Sequence, residues 1–204
     1  MSRRRSEELR QRLAQEAARV LAEEGIRDFF AAKRKAMQRL AIDRSQSRGV
    51  MPNNVEIEAA LNEHLRLFQS DSQPDRLRKL REVAIQAMRL LESYSPRLVG
   101  GVLDGSATLH AGVNLHVFAD TPELVLMHLL DQQIPVDTDE RRLRRQDDSY
   151  ADYPVYRFLA GDVSVDITVF PDRERGQPPR SPVDGGPMRR AGLEEVEGLL
   201  AEEA

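Results

Sequence analysis

The chain has no cysteine and no tryptophan, and aromatic residues make up only 5% of its 204 positions. The lack of cysteine excludes disulfides, thiolate nucleophiles and cysteine-ligated zinc, and it fits a reducing compartment, so we predict a cytoplasmic protein. No apolar run is long enough to cross a membrane, and the opening residues MSRRRSEELRQRL lack the apolar segment of a secretion signal. We therefore expect a protein without a membrane partner.

Charge is divided unevenly along the chain. Residues 1–97 contain 20 Lys and Arg against 14 Asp and Glu, whereas residues 98–204 contain 10 against 20. A basic half can bind RNA phosphates, dock on a protein, or remain solvated. No aromatic residues alternate with the basic ones, as base stacking would require.

Residues 1–94 have the periodicity of helices. Apolar residues recur there at steps of three and four, which places them on one face of each helix. Gly25 is predicted to end the first helix. Asn53 stands three residues before Glu56, the spacing of a capping box, and Ser72 is predicted to cap the fourth helix. We interpret this segment as a helical region.

After Pro96 the helical periodicity gives way to alternation with a period of two. The segments VNLHVFA and VSVDITVF each place apolar residues on one face and polar residues on the other, as half-buried strands do. The Gly161-Asp162 pair suits a tight hairpin. Further elements are a helix opened by Thr121 and Pro122, strands near 136–143 and 154–160, an irregular tail, and a last helix from about Gly192. Residues 95–204 are thus predicted to form an α/β core, and the whole chain an α+β protein.

The order of these elements resembles the polymerase-beta-type nucleotidyltransferase superfamily. In that family a strand ends in a Gly-Ser turn, a second strand carries Asp-x-Asp, and a neighbouring strand carries a third carboxylate. Here the corresponding stretches are LVGG, GVNLHVF and VDITVF. The chain is also similar to a group of bacterial proteins described as nucleotidyltransferases, through AEEGIRDFFAAKRKA and SPVDG. The resemblance implies a helical N-terminal half packed on a small mixed sheet of nucleotidyltransferase type.

The resemblance also implies a set of site residues. The turn glycines Gly100, Gly101 and Gly105 correspond to the cradle that holds nucleotide phosphates, with Gly105 at the start of the following helix. Asp166 corresponds to the third carboxylate and is the predicted catalytic residue. Arg157, on the preceding strand, either contacts a phosphate or forms a structural ion pair.

Two anionic ligands of the family are replaced in this chain. Gly112 stands at the first position of Asp-x-Asp and Asn114 at the second. Magnesium prefers anionic oxygen ligands, so a site with Asp166 as its one carboxylate would be weak. Asn114 and His116 are the candidate substitutes as metal ligands, and the histidine also admits a softer metal such as zinc or manganese. Magnesium is expected as a cofactor only if transfer activity survives.

Other chemistries find less support in the sequence. The chain has no Gly-Lys followed by Ser or Thr, so it lacks a phosphate loop of the Walker type. His110, His116 and His128 lie close in sequence, but are predicted in a loop, a strand and a helix, which disfavours a shared zinc ion. The arginine-rich segment 140–145 is predicted to be a solvated sheet edge.

These observations lead to one preferred function and two alternatives. We expect a nucleotidyltransferase fold with a degenerate metal site, which binds a nucleoside triphosphate or acts in regulation. The first alternative is an active metal-dependent nucleotidyltransferase that uses Asp166. The second is a module in which the basic N-terminal helices bind RNA or protein.

Overall fold

The computed structural model describes residues 3–26, 28–43, 49–68 and 73–202. Over these residues the chain forms seven α-helices and a five-stranded mixed sheet, which confirms the predicted α+β class. The chain separates into two compact units. The helical unit comprises Met1–Gln73, Thr108–His110 and Pro182–Asp184, and the sheet unit comprises Pro74–Ala107, Ala111–Ser181 and Gly185–Ala204.

The helical unit is built from α1 (Arg3–Glu24), α2 (Phe29–Arg39) and α3 (Asn54–Phe68). As predicted, Gly25 follows α1, where its φ of 68° suits a residue without a side chain. The predicted capping box is also confirmed. Asn53 Oδ1 accepts a hydrogen bond from the Glu56 amide at 2.9 Å, and Glu56 Oε2 accepts one from the Asn53 amide at 2.7 Å. Ser72, the predicted cap of the fourth helix, lies outside the described residues.

Basic side chains of the helical unit are paired with acidic ones. Arg10 binds Glu56 with two hydrogen bonds of 2.7 Å, and Arg39 Nη1 donates to Glu16 at 3.0 Å. Lys35 forms an ion pair with Glu24. Part of the positive charge of the basic helices is therefore balanced within this unit, which leaves less of it for an external anion.

The sheet unit contains β1 (Arg97–Val99), β2 (Val113–Ala119), β3 (Asp137–Arg144), β4 (Tyr150–Ala160) and β5 (Val163–Pro171). Their order is β1-β2-β5-β4-β3, with β2 parallel to β5 and every other neighbouring pair antiparallel. The predicted hairpin is confirmed, since Gly161 and Asp162 connect Ala160 to its partner Val163.

The remaining helices are α4 (Gln73–Leu90), α5 (Gly101–Asp104), α6 (Pro122–Asp131) and α7 (Leu193–Glu202). The change from helix to strand falls near the boundary at residues 94 and 95 that the periodicity indicates, but α4 packs with the sheet and so belongs to the sheet unit. Among the helices of the described residues, none has the length and apolar character that spanning a bilayer requires.

The two faces of the sheet differ in character. One face packs against α4 to α7 through apolar residues. Leu115 and Ile167 of the sheet and Leu80 of α4 belong to this core, and all three are fully buried. Because side chains alternate along a strand, the neighbouring positions project to the other side. This second side is called the polar face here, and its members are Asn114, His116, Arg141, Arg157, Asp166 and Thr168.

The chain after β5 closes one edge of the sheet. The Leu98 amide donates to the Ala191 carbonyl at 2.9 Å, and the Ala191 amide donates to the Leu98 carbonyl at 3.0 Å. β1 is therefore protected by backbone pairing. At the opposite edge lies β3, whose many charged side chains discourage pairing with another chain.

Candidate functional site

The polar face brings together the residues that the resemblance singles out on β2 and β5. The register of these two parallel strands places Asn114 opposite Asp166 and His116 opposite Thr168. Arg157 of β4 lies opposite Asp166 on the other side. Strand pairing thus produces a row across three strands, from Asn114 through Asp166 to Arg157.

Asp166 is buried and held by cations. Only 1% of the surface of Asp166 is exposed to solvent. Arg157 donates from Nε to Oδ1 at 2.7 Å and from Nη2 to Oδ2 at 3.0 Å, the two-pronged geometry that favours arginine over lysine. Arg141 Nη2 donates to Oδ2 at 2.9 Å, and Ser164 Oγ donates to Oδ1 at 3.2 Å. Both carboxylate oxygens therefore have strong donors.

Asn114 belongs to the same hydrogen-bond network. Its Oδ1 accepts a bond from Arg141 Nη1 at 3.3 Å, and its Nδ2 donates to the Gly112 carbonyl at 3.4 Å. The amide oxygen predicted to bind a metal thus points toward a guanidinium. A divalent cation on Asn114 and Asp166 would have to displace or approach the cationic Arg141, so these donors do not fit magnesium.

Arg141 is the functional candidate that the sequence did not reveal. The prediction of a solvated edge for segment 140–145 is wrong at this position, because Arg141 extends from β3 to bind Asp166 and Asn114. It is also wrong at Arg145, which donates to Glu174 at 3.0 Å. The signal was the alternation within β3, which places residue 141 on the same side as residues 137 and 139.

The two guanidinium groups are partly open to solvent. The Arg141 side chain is 31% exposed and the Arg157 side chain 38% exposed, in contrast to the buried carboxylate between them. The hydrogen bonding that Arg157 donates to Asp166, more than the charge of that carboxylate, raises the pKa of Arg157 above its usual value, and the carboxylates of Asp139 and Asp137 add to this. Arg157 therefore stays protonated, and both arginines present donors to solvent while Asp166 fixes their orientation.

His116 is bound to a different arginine. It is 2% exposed, and its Nδ1 accepts a hydrogen bond from Arg190 Nε at 3.0 Å. Its ring contacts the Phe170 ring at 4.6 Å between centroids. Burial, then the charges of Arg190 and Arg141, hold the pKa of His116 well below 6.5. The imidazole is neutral, with its Nδ1 lone pair engaged, so the metal-ligand role expected for it finds no support in these contacts.

Arg190 anchors the segment after β5 on the polar face. Its guanidinium lies 5.0 Å from the centroid of Phe118 and 4.7 Å from that of Phe170, and burial lowers its pKa to about 10. Glu174, in the same segment, accepts a hydrogen bond from Tyr153 Oη at 2.7 Å. The tail predicted to be irregular is thus fixed at the aromatic end of this face.

The glycine turn lies at the same end of the sheet as Asn114. Val99 is the register partner of Asn114, and the turn begins at the next residue, Gly100, with a φ of 74°. A side chain at Gly101 would lie 3.2 Å from Ser106 Oγ, so this position is closely packed. Gly105 ends α5, with a φ of 80°, and does not start it as expected. Gly100 and Gly101 keep the predicted position, and Gly105 moves to the other end of the helix.

The other histidines lie on separate elements. His110 belongs to the helical unit, where its Nε2 is 3.0 Å from the Glu23 carbonyl oxygen. His128 lies on α6 with its Nε2 2.9 Å from the Leu90 carbonyl oxygen. Within the described ranges, no cluster of three or more His, Asp or Glu side chains is arranged to hold a metal ion. The network of Asp166, Arg141 and Arg157 is therefore the best candidate site.

Comparison of the chain with protein-family models and with curated proteins gives no match.

Proposed function

We propose that the sheet unit binds the phosphate groups of a nucleotide on its polar face without a divalent metal, as a degenerate member of the nucleotidyltransferase-like proteins it resembles. One observation carries the proposal: Asp166 is buried between Arg141 and Arg157, whose outer edges are exposed. In an active enzyme of the superfamily that this chain resembles, the corresponding carboxylate would bind a metal ion. Here it orients two cations, which are the groups that bind phosphate.

The chemistry of the network favours binding over transfer. Nucleotidyl transfer needs a metal pair that neutralises the triphosphate and activates the attacking hydroxyl. The side chains at residues 112 and 114 supply no anion for such a pair, and the Asp166 oxygens accept bonds from two guanidinium groups. Arginines held in place by a buried carboxylate lose little entropy when an anion arrives, so they suit a binding function.

Metal dependence separates this proposal from the enzyme alternative. We expect calorimetric titration of the full chain with each nucleoside triphosphate to give the same affinity in magnesium and in EDTA. Asp166→Asn should weaken this binding to the same extent in magnesium and in EDTA, because the two arginines lose the carboxylate that orients them. Binding that requires magnesium and is lost in Asp166→Asn would support an active nucleotidyltransferase instead.

A matched pair of variants on β3 tests the site itself. Arg141→Gln is expected to weaken nucleotide binding about tenfold or more, since hydrogen bonds to charged groups contribute about 1.5–3 kcal/mol. Arg142→Gln makes the same charge change on the same strand, but its guanidinium lies over the Tyr150 ring at 5.4 Å and is absent from the Asp166 network. Equal losses in both variants would indicate a general charge effect and contradict the proposal.

A further inference from the structure

The outer side of α6 exposes large apolar side chains. Leu124, Met127 and Leu130 are 47%, 61% and 54% exposed, whereas Val125 and Leu129 on the inner side are fully buried. Two of the ten residues of this helix, PELVLMHLLD, are acidic, and the other eight carry no charge. The exposed apolar side chains recur at a spacing of three, which places them in one stripe along the helix. A helix that is apolar on both sides is normally covered on both sides.

The chain segment that contains α6 carries charge of one sign. Between residues 113 and 140 the chain has six acidic residues and no Lys or Arg. Asp120 and Glu123 flank the beginning of α6, and Asp131 ends it; all three are exposed. Among the ion pairs of the described residues, none involves these three carboxylates. An apolar stripe with uncompensated acids at both ends is complementary to an apolar stripe flanked by cations.

We propose that the outer face of α6 is a docking surface for a basic amphipathic helix of a partner protein. Leu124, Met127 and Leu130 supply the apolar contact. In this kind of helix-to-helix docking, the partner helix contacts the surface through apolar side chains spaced three and four residues apart. Glu123 and Asp131 pair with Lys or Arg at the rim of the partner helix. This binding is independent of the nucleotide site, which lies on the other face of the sheet.

Charge also argues against two other occupants. A second copy packed α6 against α6 would bring Glu123 and Asp131 of one copy near the acids of the other in either direction, and like charges at an interface oppose association. An anionic lipid surface would be repelled by the same carboxylates. A cationic helix is the occupant that removes both the apolar exposure and the unpaired charge.

The test uses the full chain and two labelled synthetic helical peptides. One contains leucine and lysine with its leucines on one face, and the other has glutamate in place of every lysine. Fluorescence anisotropy is expected to show binding of the lysine peptide only. In the variant Leu124→Gln/Met127→Gln the affinity should fall about tenfold or more, because two side chains lose apolar burial.

The matched control is Leu159→Gln on β4. Leu159 is 71% exposed, so its replacement removes exposed apolar surface outside α6. It should bind the lysine peptide as the unmodified chain does. Equal binding of both peptides, or an equal loss in the Leu159 variant, would overturn the proposal. So would sedimentation showing a dimer that the α6 variant abolishes, since that result assigns the face to a second copy.

Discussion

Arg157→Met is expected to lower the free energy of unfolding of the sheet unit by about 3 kcal/mol, the lower end of the cost of breaking a buried ion pair from one side. The reason is the position of Asp166, whose residue is 1% exposed and cannot recover its hydration when the guanidinium is removed. Arg141 and Ser164 still donate to the carboxylate, which keeps the loss near this lower end. Methionine preserves much of the aliphatic stem, so the change reports the missing charge.

Tyrosine fluorescence during urea unfolding measures this effect selectively. The chain has four tyrosines and no tryptophan, and Tyr94, Tyr150, Tyr153 and Tyr156 all belong to the sheet unit. Adding Asp166→Asn to Arg157→Met should recover part of the loss, because it removes the buried charge that the first change left unpaired. A loss below about 0.5 kcal/mol, typical of an exposed pair, would mean that Asp166 is hydrated in solution.

Acid is expected to destabilise the sheet unit through His116. Burial, assisted by Arg190 and Arg141, holds the pKa of the folded-state imidazole well below 6.5, while the unfolded chain takes up a proton near 6.5. The unfolded state therefore binds more protons as the pH falls below 6.5. Stability is fully present above that value and decreases by about 1.4 kcal/mol per pH unit until the folded-state pKa is reached.

The variant His116→Gln isolates this contribution. Glutamine does not titrate, and its side-chain oxygen can accept the hydrogen bond that Arg190 Nε donates to the imidazole. From pH 6.5 to pH 5 the unmodified chain should lose up to about 2 kcal/mol more than the variant in urea unfolding followed by tyrosine fluorescence. Parallel pH profiles for the two proteins would show that His116 is not buried in the neutral form.

Local chemistry made several elements predictable from the sequence. The Asn53 and Glu56 spacing identifies a helix start because the two residues hydrogen-bond each other within one turn. Alternation in VNLHVFA and VSVDITVF predicts strands, since a period of two is compatible with a buried face only in a strand. The alternation also places Asn114, His116 and Asp166 on polar sides of their strands.

The partners of these polar residues depend on long-range pairing that no local pattern contains. Arg141 meets Asp166 because β4 lies between β3 and β5 and because the register of both pairs aligns the two residues diagonally. A shift of one residue in either pair would turn Arg141 to the helix side. For the same reason the sequence could not assign His116 to Arg190, which is 74 positions away in the chain. Of the predicted site residues, Asn114, Arg157 and Asp166 thus come together in one hydrogen-bond network, which also contains Arg141.

The strand order has a consequence for synthesis on the ribosome. β5 is the last strand to emerge, yet it lies in the middle of the sheet, between β2 and β4. The β1-β2 pair and the β3-β4 hairpin are therefore translated first and remain separate halves with an unfilled slot. Asp166 lies on β5 and takes its place in the sheet only when β5 pairs with β2 and β4. Until then the side chains of Arg141 and Arg157 lack this carboxylate partner and are hydrated.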